Sequence, residues 1–144
     1  MKKLAFIFIF LLIFSLGGFF YMTDSIPGYG GDRAIIIEKS KRFFECIQFK
    51  EFGEAAQFHS EEDQKDADIP DMIERLFFVK PENLDIQNVD ILFGEIDSSD
   101  VLGRVKTKCL AHVLNTQEEK QIDVMLYWKK ENGNWYLKLK SSLQ

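Results

Sequence analysis

The chain has 144 residues, 46% of them hydrophobic, and a net charge of −5 at pH 7. This length suits one domain, and the acidic balance argues against nucleic-acid binding because a phosphate backbone demands a basic surface. The two cysteines, Cys46 and Cys109, are too far apart for a CxxC pair, and only two histidines are present. We therefore expect no metal site and no cofactor.

An uncharged apolar segment spans residues 4–22, directly behind Lys2 and Lys3. As a helix it nearly matches the hydrocarbon core of a bilayer, and the two lysines hold the preceding end in the cytoplasm. Residues 1–22 are thus predicted to be a transmembrane anchor or a signal segment. The favoured interpretation is a single-pass protein of the cytoplasmic (inner) membrane whose C-terminal domain faces the periplasm or the exterior. The alternative is a secreted protein, cleaved after Gly17.

A linker and a long amphipathic helix are predicted next. Residues 23–31 combine one proline with three glycines, which is typical of a linker. Asp32 can then cap a helix that runs to about Lys50. Apolar and small side chains recur at spacings of three and four residues, which predicts one helix face packed on a sheet. The residues of that face are Ile36, Ser40, Phe43, Phe44 and Ile47.

Two shorter helices are predicted after the long one. The first covers residues 51–58, and the second begins near Pro70, a favourable first-turn residue, and runs to about Phe78. The polar, acidic stretch at residues 59–68 is predicted to be a solvated connection between them.

From Leu84 the apolar pattern changes to alternation, which indicates β-strands. Four strands are predicted, at residues 84–95, 101–114, 121–130 and 134–140. Because the turns between them are short, the strands form an antiparallel meander. Helices followed by strands give an α+β fold class, with about three helices on one face of a sheet of about four strands. The predicted domain spans residues 32–144.

The combination of an aromatic first helix, a short helix containing FGEAAQFHS and a closing YWKKENGNWYLK hairpin resembles the nuclear transport factor 2-like superfamily. More narrowly, it is similar to small exported bacterial members of unknown function. The resemblance implies a curved sheet wrapped around helices, forming a cone with a pocket. It also implies a tendency to dimerise through the sheet. Members include isomerases and dehydratases as well as non-catalytic binding domains, so fold does not select the function.

Strand alternation sorts the residues that would face the pocket. The inner face of the second strand carries Thr107 and Cys109, and no carboxylate, histidine, lysine or arginine lies on the assigned inner faces. No catalytic residue is therefore predicted, because a general base must titrate near the working pH. Both cysteines are expected to be buried free thiols, with a disulfide as the alternative.

Three further side chains are candidates for a ligand pocket. His59, beside an acidic stretch, is either an acid/base group at the pocket mouth or, as favoured, part of a solvated helix end. Trp128 and Trp135 either grip an apolar ligand or, as favoured, pack in the core. Together with Thr107 and Cys109 these complete the predicted pocket set.

The opposite sheet face carries basic and aromatic side chains that form a candidate interaction surface. Such a patch either docks an acidic partner or is a solvated face with local charge pairing. The acidic residues 61–71 of a second copy are one possible complement, so a homodimer or another protein partner is expected to use the sheet. The residues of this surface are Arg104, Lys106, Lys108, His112, Tyr127, Tyr136, Lys138 and Lys140.

The sequence therefore predicts a membrane-anchored, extracytoplasmic binding or protein-interaction domain without catalytic activity. Its predicted partners are the membrane, through residues 4–22, and a protein docked on the sheet. The alternative is an isomerase- or dehydratase-like enzyme, or a carrier, that acts on a small hydrophobic ligand in the cone pocket.

Overall fold

The computed structural model describes residues 30–142. Its helices are α1 (Gly31–Gln48), α2 (Phe52–Ala56), α3 (Glu61–Gln64), α4 (Ile69–Phe77) and α5 (Leu139–Ser142), with a 3₁₀ turn at Pro81–Asn83. Its strands are β1 (Leu84–Ile96), β2 (Leu102–Val113), β3 (Glu118–Glu131) and β4 (Asn134–Leu137). The strands form one antiparallel sheet in the order β1-β2-β3-β4. The predicted antiparallel meander and the predicted order of helices before strands are confirmed.

Helix α1 buries the face that its apolar periodicity predicts. The predicted residues of that face are all buried, and Cys46 is buried beside them. Asp32 stands in the first turn, where a carboxylate interacts favourably with the helix dipole. Since α1 carries six buried residues over 18 positions, it supplies the main helical layer of the core.

Helices α3 and α4 each begin at a residue whose side chain caps the first turn. The Ser60 side chain accepts a hydrogen bond from the backbone N–H of Asp63 at the start of α3, and Asp68 accepts one from Asp71 at the start of α4. Such caps satisfy the free N–H groups of a first helical turn. Phe78 takes the left-handed conformation, with φ of 55°, and ends α4. The stretch predicted as a plain connection therefore contains a capped helical turn.

The turn between β3 and β4 has the chemistry that a tight hairpin needs. Asn132 and Gly133 have positive φ values of 50° and 81°. Two successive residues with positive φ match the right-handed twist of the flanking strands, and asparagine followed by glycine is the favoured pair. The sequence therefore fixes the register in which β4 pairs with β3.

Two glycines let α1 approach the inner face of the sheet closely. A Cβ atom built on Gly94 of β1 would lie 2.6 Å from the Ile37 Cγ1 atom, and one on Gly103 of β2 would lie 2.8 Å from the Ile36 Cδ1 atom. Real Cβ atoms do not approach other atoms so closely, and overfilled cores are destabilised. The absence of side chains at these two strand positions is what lets α1 pack against β1 and β2.

Polar contacts also fix α1 to the end of the chain. The Trp128 indole N–H donates to Ser40 Oγ at 3.0 Å inside the core. Asp32 accepts from the Trp135 indole at 2.9 Å and from Lys130 Nζ at 2.8 Å. We call this three-residue contact the Asp32 clasp. It joins the first turn of α1 to the β3–β4 hairpin.

The fourth strand is shorter than predicted. The sequence predicts a strand to residue 140, but β4 ends at Leu137 and α5 follows. Within α5, the Ser141 N–H donates to the Lys138 carbonyl at 3.0 Å, and Ser142 Oγ accepts from the Tyr127 N–H at 3.2 Å. Leu139 is buried in this helical turn, and a buried residue is also what an inward strand position predicts, so alternation alone could not distinguish the two.

No membrane helix is found among the described residues, so the predicted fold class is corrected to the α+β domain alone. Within residues 30–142 no helix combines the length and the apolar character needed to cross a bilayer. The segment for which the helix was predicted, residues 1–22, lies outside the described residues, as does most of the predicted linker. The open cone is also not observed, because α1 and its neighbours fill the inner face of the sheet.

Candidate functional site

The inner sheet face is packed rather than open. Val105, Thr107, Cys109 and Leu126 are 0% exposed. Thr107 Oγ1 donates to the Val124 carbonyl at 3.1 Å, so its hydroxyl is satisfied within the sheet. Burial raises the pKa of the Cys109 thiol to about 12, which keeps it protonated and unreactive at neutral pH. Thr107 and Cys109 are therefore packed within the core of the described domain.

Both tryptophans are also core residues. Trp128 and Trp135 are each 1% exposed, and both indole N–H groups are used in the bonds to Ser40 and Asp32. Trp128 packs edge-on against Phe58, with ring centroids 6.4 Å apart. Buried tryptophans generally need a partner for the N–H, and here those partners come from α1. This arrangement leaves neither indole free to hold a ligand.

The two cysteines are free and buried. Cys46 Sγ lies within 4.8 Å of carboxylate oxygens of Glu51 and Glu54, because the chain turns back after α1. Sequence reasoning missed this group, since a long helix was predicted to continue to about Lys50. Burial and the nearby carboxylates raise the pKa of the Cys46 thiol. A protonated thiol is a poor metal ligand, so the group is not a ready metal site.

The outer sheet face pairs its charges across neighbouring strands. Arg104 forms an ion pair with Glu95 of β1. Lys106 Nζ lies 3.3 Å from Asp123 Oδ2 of β3. In addition, Lys108 stands in register between Asp90 and Asp123. The basic residues predicted to form a patch are therefore flanked by carboxylates that the sequence alone did not align with them.

The remaining residues of the predicted interaction surface are separated. Tyr136 stands in register opposite Lys129 on the sheet, and His112 Nε2 lies 3.3 Å from Gln117 Oε1. Lys138 turns toward α3, and Lys140 belongs to α5. Lys138 and Lys140 therefore lie apart from the rest of the predicted surface, beside α3 and in α5. The residues that do lie on the sheet are Arg104, Lys106, Lys108, His112, Tyr127 and Tyr136.

A shallow depression lies at one end of the outer face. Leu102 and Tyr127 are 47% and 38% exposed there, on either side of Arg104. Its volume is about 310 Å³, and Glu95, Asp97 and Gly103 complete its lining. We call it the Leu102–Tyr127 depression. Sequence reasoning missed Leu102, although an apolar residue alternating with Arg104 and Lys106 on one strand face would have indicated it.

His59 lies at a second location, beside a cavity of about 220 Å³. The predicted solvated helix end is wrong, because His59 is only 3% exposed. The Leu137 N–H donates to the Phe58 carbonyl at 2.8 Å, which joins the residue before His59 to β4. The cavity is lined by His59, Asp63, Met72, Lys138, Leu139, Lys140 and Ser141.

The His59 cavity combines an ion pair with a neutral imidazole. Lys138 Nζ lies 2.6 Å from Asp63 Oδ2, and this bond lowers the pKa of Asp63 and raises the pKa of Lys138. Burial lowers the pKa of His59. Its Nδ1 lies 3.2 Å from the Ala56 carbonyl, whereas Nε2 is buried without a hydrogen-bond partner among the described residues.

No protein-family model matches the sequence, and no curated protein matches it significantly. The fold is similar to that in the solution structure of a SEC-C motif containing protein from Rhodopseudomonas palustris. That similarity has a TM-score of 0.50 and 16% sequence identity, and it covers 65% of this chain and 67% of that chain. At this identity the comparison establishes the fold alone.

The predicted membership of the nuclear transport factor 2-like superfamily is therefore wrong. A solved structure with a similar fold is that of a SEC-C motif containing protein. The resemblance rested on the order of helices and strands and on an aromatic hairpin. Such features follow from the packing of any antiparallel sheet on helices, so they specify a fold class and not a family.

Proposed function

We propose that this domain is a non-catalytic protein-interaction domain that docks a second copy of itself through the outer sheet face. The observation that supports the proposal is the contrast between the two faces of the sheet. The inner face is filled by α1 and the other helices, whereas Leu102 and Tyr127 on the outer face remain exposed. A filled inner face also disfavours the carrier and enzyme alternatives that need a ligand between helices and sheet.

The outer face has the composition of a docking surface. Tyrosine, arginine and methionine are enriched where proteins meet, and Arg104, Met125 and Tyr127 share this face. Phe93 of β1 and Leu110 of β2 are half-buried on the same face. Apolar side chains between paired charges would form the centre of such an interface, with the charges at its rim.

A second copy is the favoured occupant because of the charge distribution. Without Lys2 and Lys3, the chain carries 16 basic and 23 acidic residues, so two copies repel each other over most surfaces. On the outer face, the basic side chains of β2 lie between acidic side chains of β1 and β3. Two copies can therefore meet there without a net like-charge contact, and each can offer carboxylates to the other's basic strand.

The test is the oligomeric state of the full chain in mild detergent, measured by sedimentation equilibrium. We expect a dimer, and we expect Tyr127→Glu to weaken the association by about 30-fold, as for the loss of an interface residue worth about 2 kcal/mol. The matched control is Phe49→Glu, which changes a 69% exposed aromatic residue directly after α1 rather than on a strand. A monomer at all concentrations, or a dimer that Phe49→Glu disrupts and Tyr127→Glu does not, would overturn the proposal.

We also propose that residues 32–144 function outside the cytoplasm. The support is the sequence pattern of Lys2 and Lys3 followed by the uncharged residues 4–22, which directs export of the following chain. Alkaline phosphatase fused after Gln144 is expected to be active, because the enzyme needs an oxidising compartment. An inactive fusion, together with an active cytoplasmic reporter at the same position, would exclude export.

A further inference from the structure

The His59 cavity has a buried floor and a polar rim. His59, Met72 and Leu139 form the floor and are 3%, 5% and 0% exposed. The half-buried ion pair of Asp63 and Lys138 forms the rim, with the exposed residues Lys140 and Ser141. The floor is therefore apolar apart from one imidazole, while the rim is charged.

The imidazole on this floor is missing one hydrogen bond. The Ala56 carbonyl can only accept, so the His59 Nδ1 atom carries the ring proton and donates it at 3.2 Å. In the neutral ring, Nε2 is consequently an acceptor, and it has no partner among the described residues. Buried polar atoms in folded proteins are nearly always paired, so an unpaired one calls for a partner from outside the chain.

We propose that the His59 cavity binds a small organic molecule that has an apolar body and one hydroxyl or N–H donor. The donor would bond to His59 Nε2, and the apolar body would contact Met72 and Leu139. The volume of about 220 Å³ is several times the roughly 30 Å³ that a single water occupies in the liquid. The cavity therefore has room for a molecule of several heavy atoms.

The rim disfavours a metal ion as the ligand. A transition metal would also bind a neutral Nε2 whose opposite nitrogen donates to a carbonyl. However, the Lys138 ammonium lies on the rim and already neutralises Asp63 at 2.6 Å, which removes the carboxylate that would serve as a second ligand. A neutral donor molecule meets no such repulsion. This site is separate from the outer sheet face, so it does not depend on dimerisation.

Phenol and anisole form a matched pair of probes for the full chain. They share an aromatic ring, but anisole carries a methoxy group that cannot donate a hydrogen bond. We expect phenol to bind saturably and to shift the ¹⁵N NMR signal of His59 Nε2, and anisole to bind about tenfold more weakly, as for one lost hydrogen bond. His59→Phe should abolish the preference for phenol, whereas His112→Phe should leave it unchanged.

Three results would overturn this proposal. One is equal binding of phenol and anisole, another is an unchanged preference in His59→Phe, and the third is an Nε2 signal that responds to neither probe, as expected of a cavity that holds only water. If His59→Phe does not fold, Ser141→Trp decides the question. This variant changes an exposed rim residue, and it should block phenol while leaving the imidazole in place.

Discussion

Tyr127 and Trp128 are neighbours in β3, yet they occupy the two most different environments of the sheet. Trp128 is 1% exposed and bonded to α1, while Tyr127 is 38% exposed beside the Leu102–Tyr127 depression. Because a strand sends successive side chains to opposite faces, one peptide bond separates a core position from a surface position. Side chains on the inner face therefore contribute most of the stability of the fold, while Tyr127 on the outer face remains exposed to solvent.

The largest expected effect comes from truncating Trp128, the neighbour that faces the core. Trp128→Ala should lower the free energy of unfolding by about 3 to 5 kcal/mol, the usual cost of emptying a large aromatic site. It also leaves Ser40 without its indole partner. Tyr127→Ala should change the same quantity by less than about 1 kcal/mol. Urea unfolding followed by circular dichroism measures both.

The monomer concentration must be held constant in this experiment, because association adds to apparent stability. If Trp128→Ala abolishes folding, Trp128→Phe can be compared with Tyr127→Ala instead, with a smaller expected loss of stability at Trp128. Equal losses of stability in the Trp128 and Tyr127 variants would contradict the assignment of the two faces.

A second, smaller effect is the pH dependence of stability that the buried Cys109 thiol on the inner face should cause. Burial raises the pKa of Cys109 from its ordinary value of 9.0 to about 12. Between these values the unfolded chain loses the thiol proton and the folded chain keeps it, so stability falls as pH rises. By pH 10 the loss should be about 1.4 kcal/mol relative to pH 8. Urea unfolding of the wild type and of Cys109→Ala at both pH values isolates this contribution.

An outer-face thiol supplies the control. Leu110→Cys in the Cys109→Ala background places the thiol one residue away, on the half-exposed side of β2, in register with the uncharged residues Asn88 and Gln121. There the thiolate is solvated in both folded and unfolded states, so we expect little dependence of stability on its ionisation. A pH dependence as large as that assigned to Cys109 would show that burial on the inner face is not its cause.

The smallest effect is expected at an outer ion pair. Lys106 and Asp123 lie 3.3 Å apart, with side chains that are 36% and 46% exposed. Exposed pairs of this kind contribute about 0 to 1 kcal/mol, so Lys106→Gln should reduce stability by no more than that. The difference in stability between the wild type and Lys106→Gln should shrink in high salt, because salt screens the ion pair. A loss above about 2 kcal/mol would mean that the outer face contributes to the fold.

Periodicity in the sequence was sufficient to predict most of this fold. The spacing of Ile36, Phe43 and Ile47 predicted the buried face of α1, and alternation around Thr107 and Cys109 predicted the inner side of β2. Both signals succeed because a helix and a strand each have one fixed geometric repeat. Local turn chemistry at Asn132 and Gly133 likewise predicted the hairpin.

The environment of His59 could not be predicted in the same way. The residues that follow it in the chain are polar and acidic, so the local pattern indicated a solvated end. Its burial depends on the Phe58–Leu137 hydrogen bond and on the Lys138–Asp63 ion pair. Both join residues about 75 to 79 positions apart in the sequence. A pattern in one short window contains no information about such contacts.

The partners of the basic residues on the outer face could not be predicted, for a related reason. The sequence indicated that Arg104, Lys106 and Lys108 share a face, but not which residues stand beside them. That depends on register, and β1 shifts its register between Ile86 and Asn88 and again between Ile91 and Phe93. Each shift changes which side chains of β1 align with β2. Only the three-dimensional structure reveals that Glu95 lies opposite Arg104.

The Asp32 clasp has a consequence for when this domain can fold. Asp32 is held by Lys130 and Trp135, which follow it by 98 and 103 positions in the chain. A ribosome or a translocation channel that releases the chain from its beginning therefore frees α1 long before its partners emerge. Contacts so distant in sequence form slowly, since a long loop must close first. The exposed aromatic face of α1 must stay soluble during that interval, and folding can finish only once the last hairpin has left the channel.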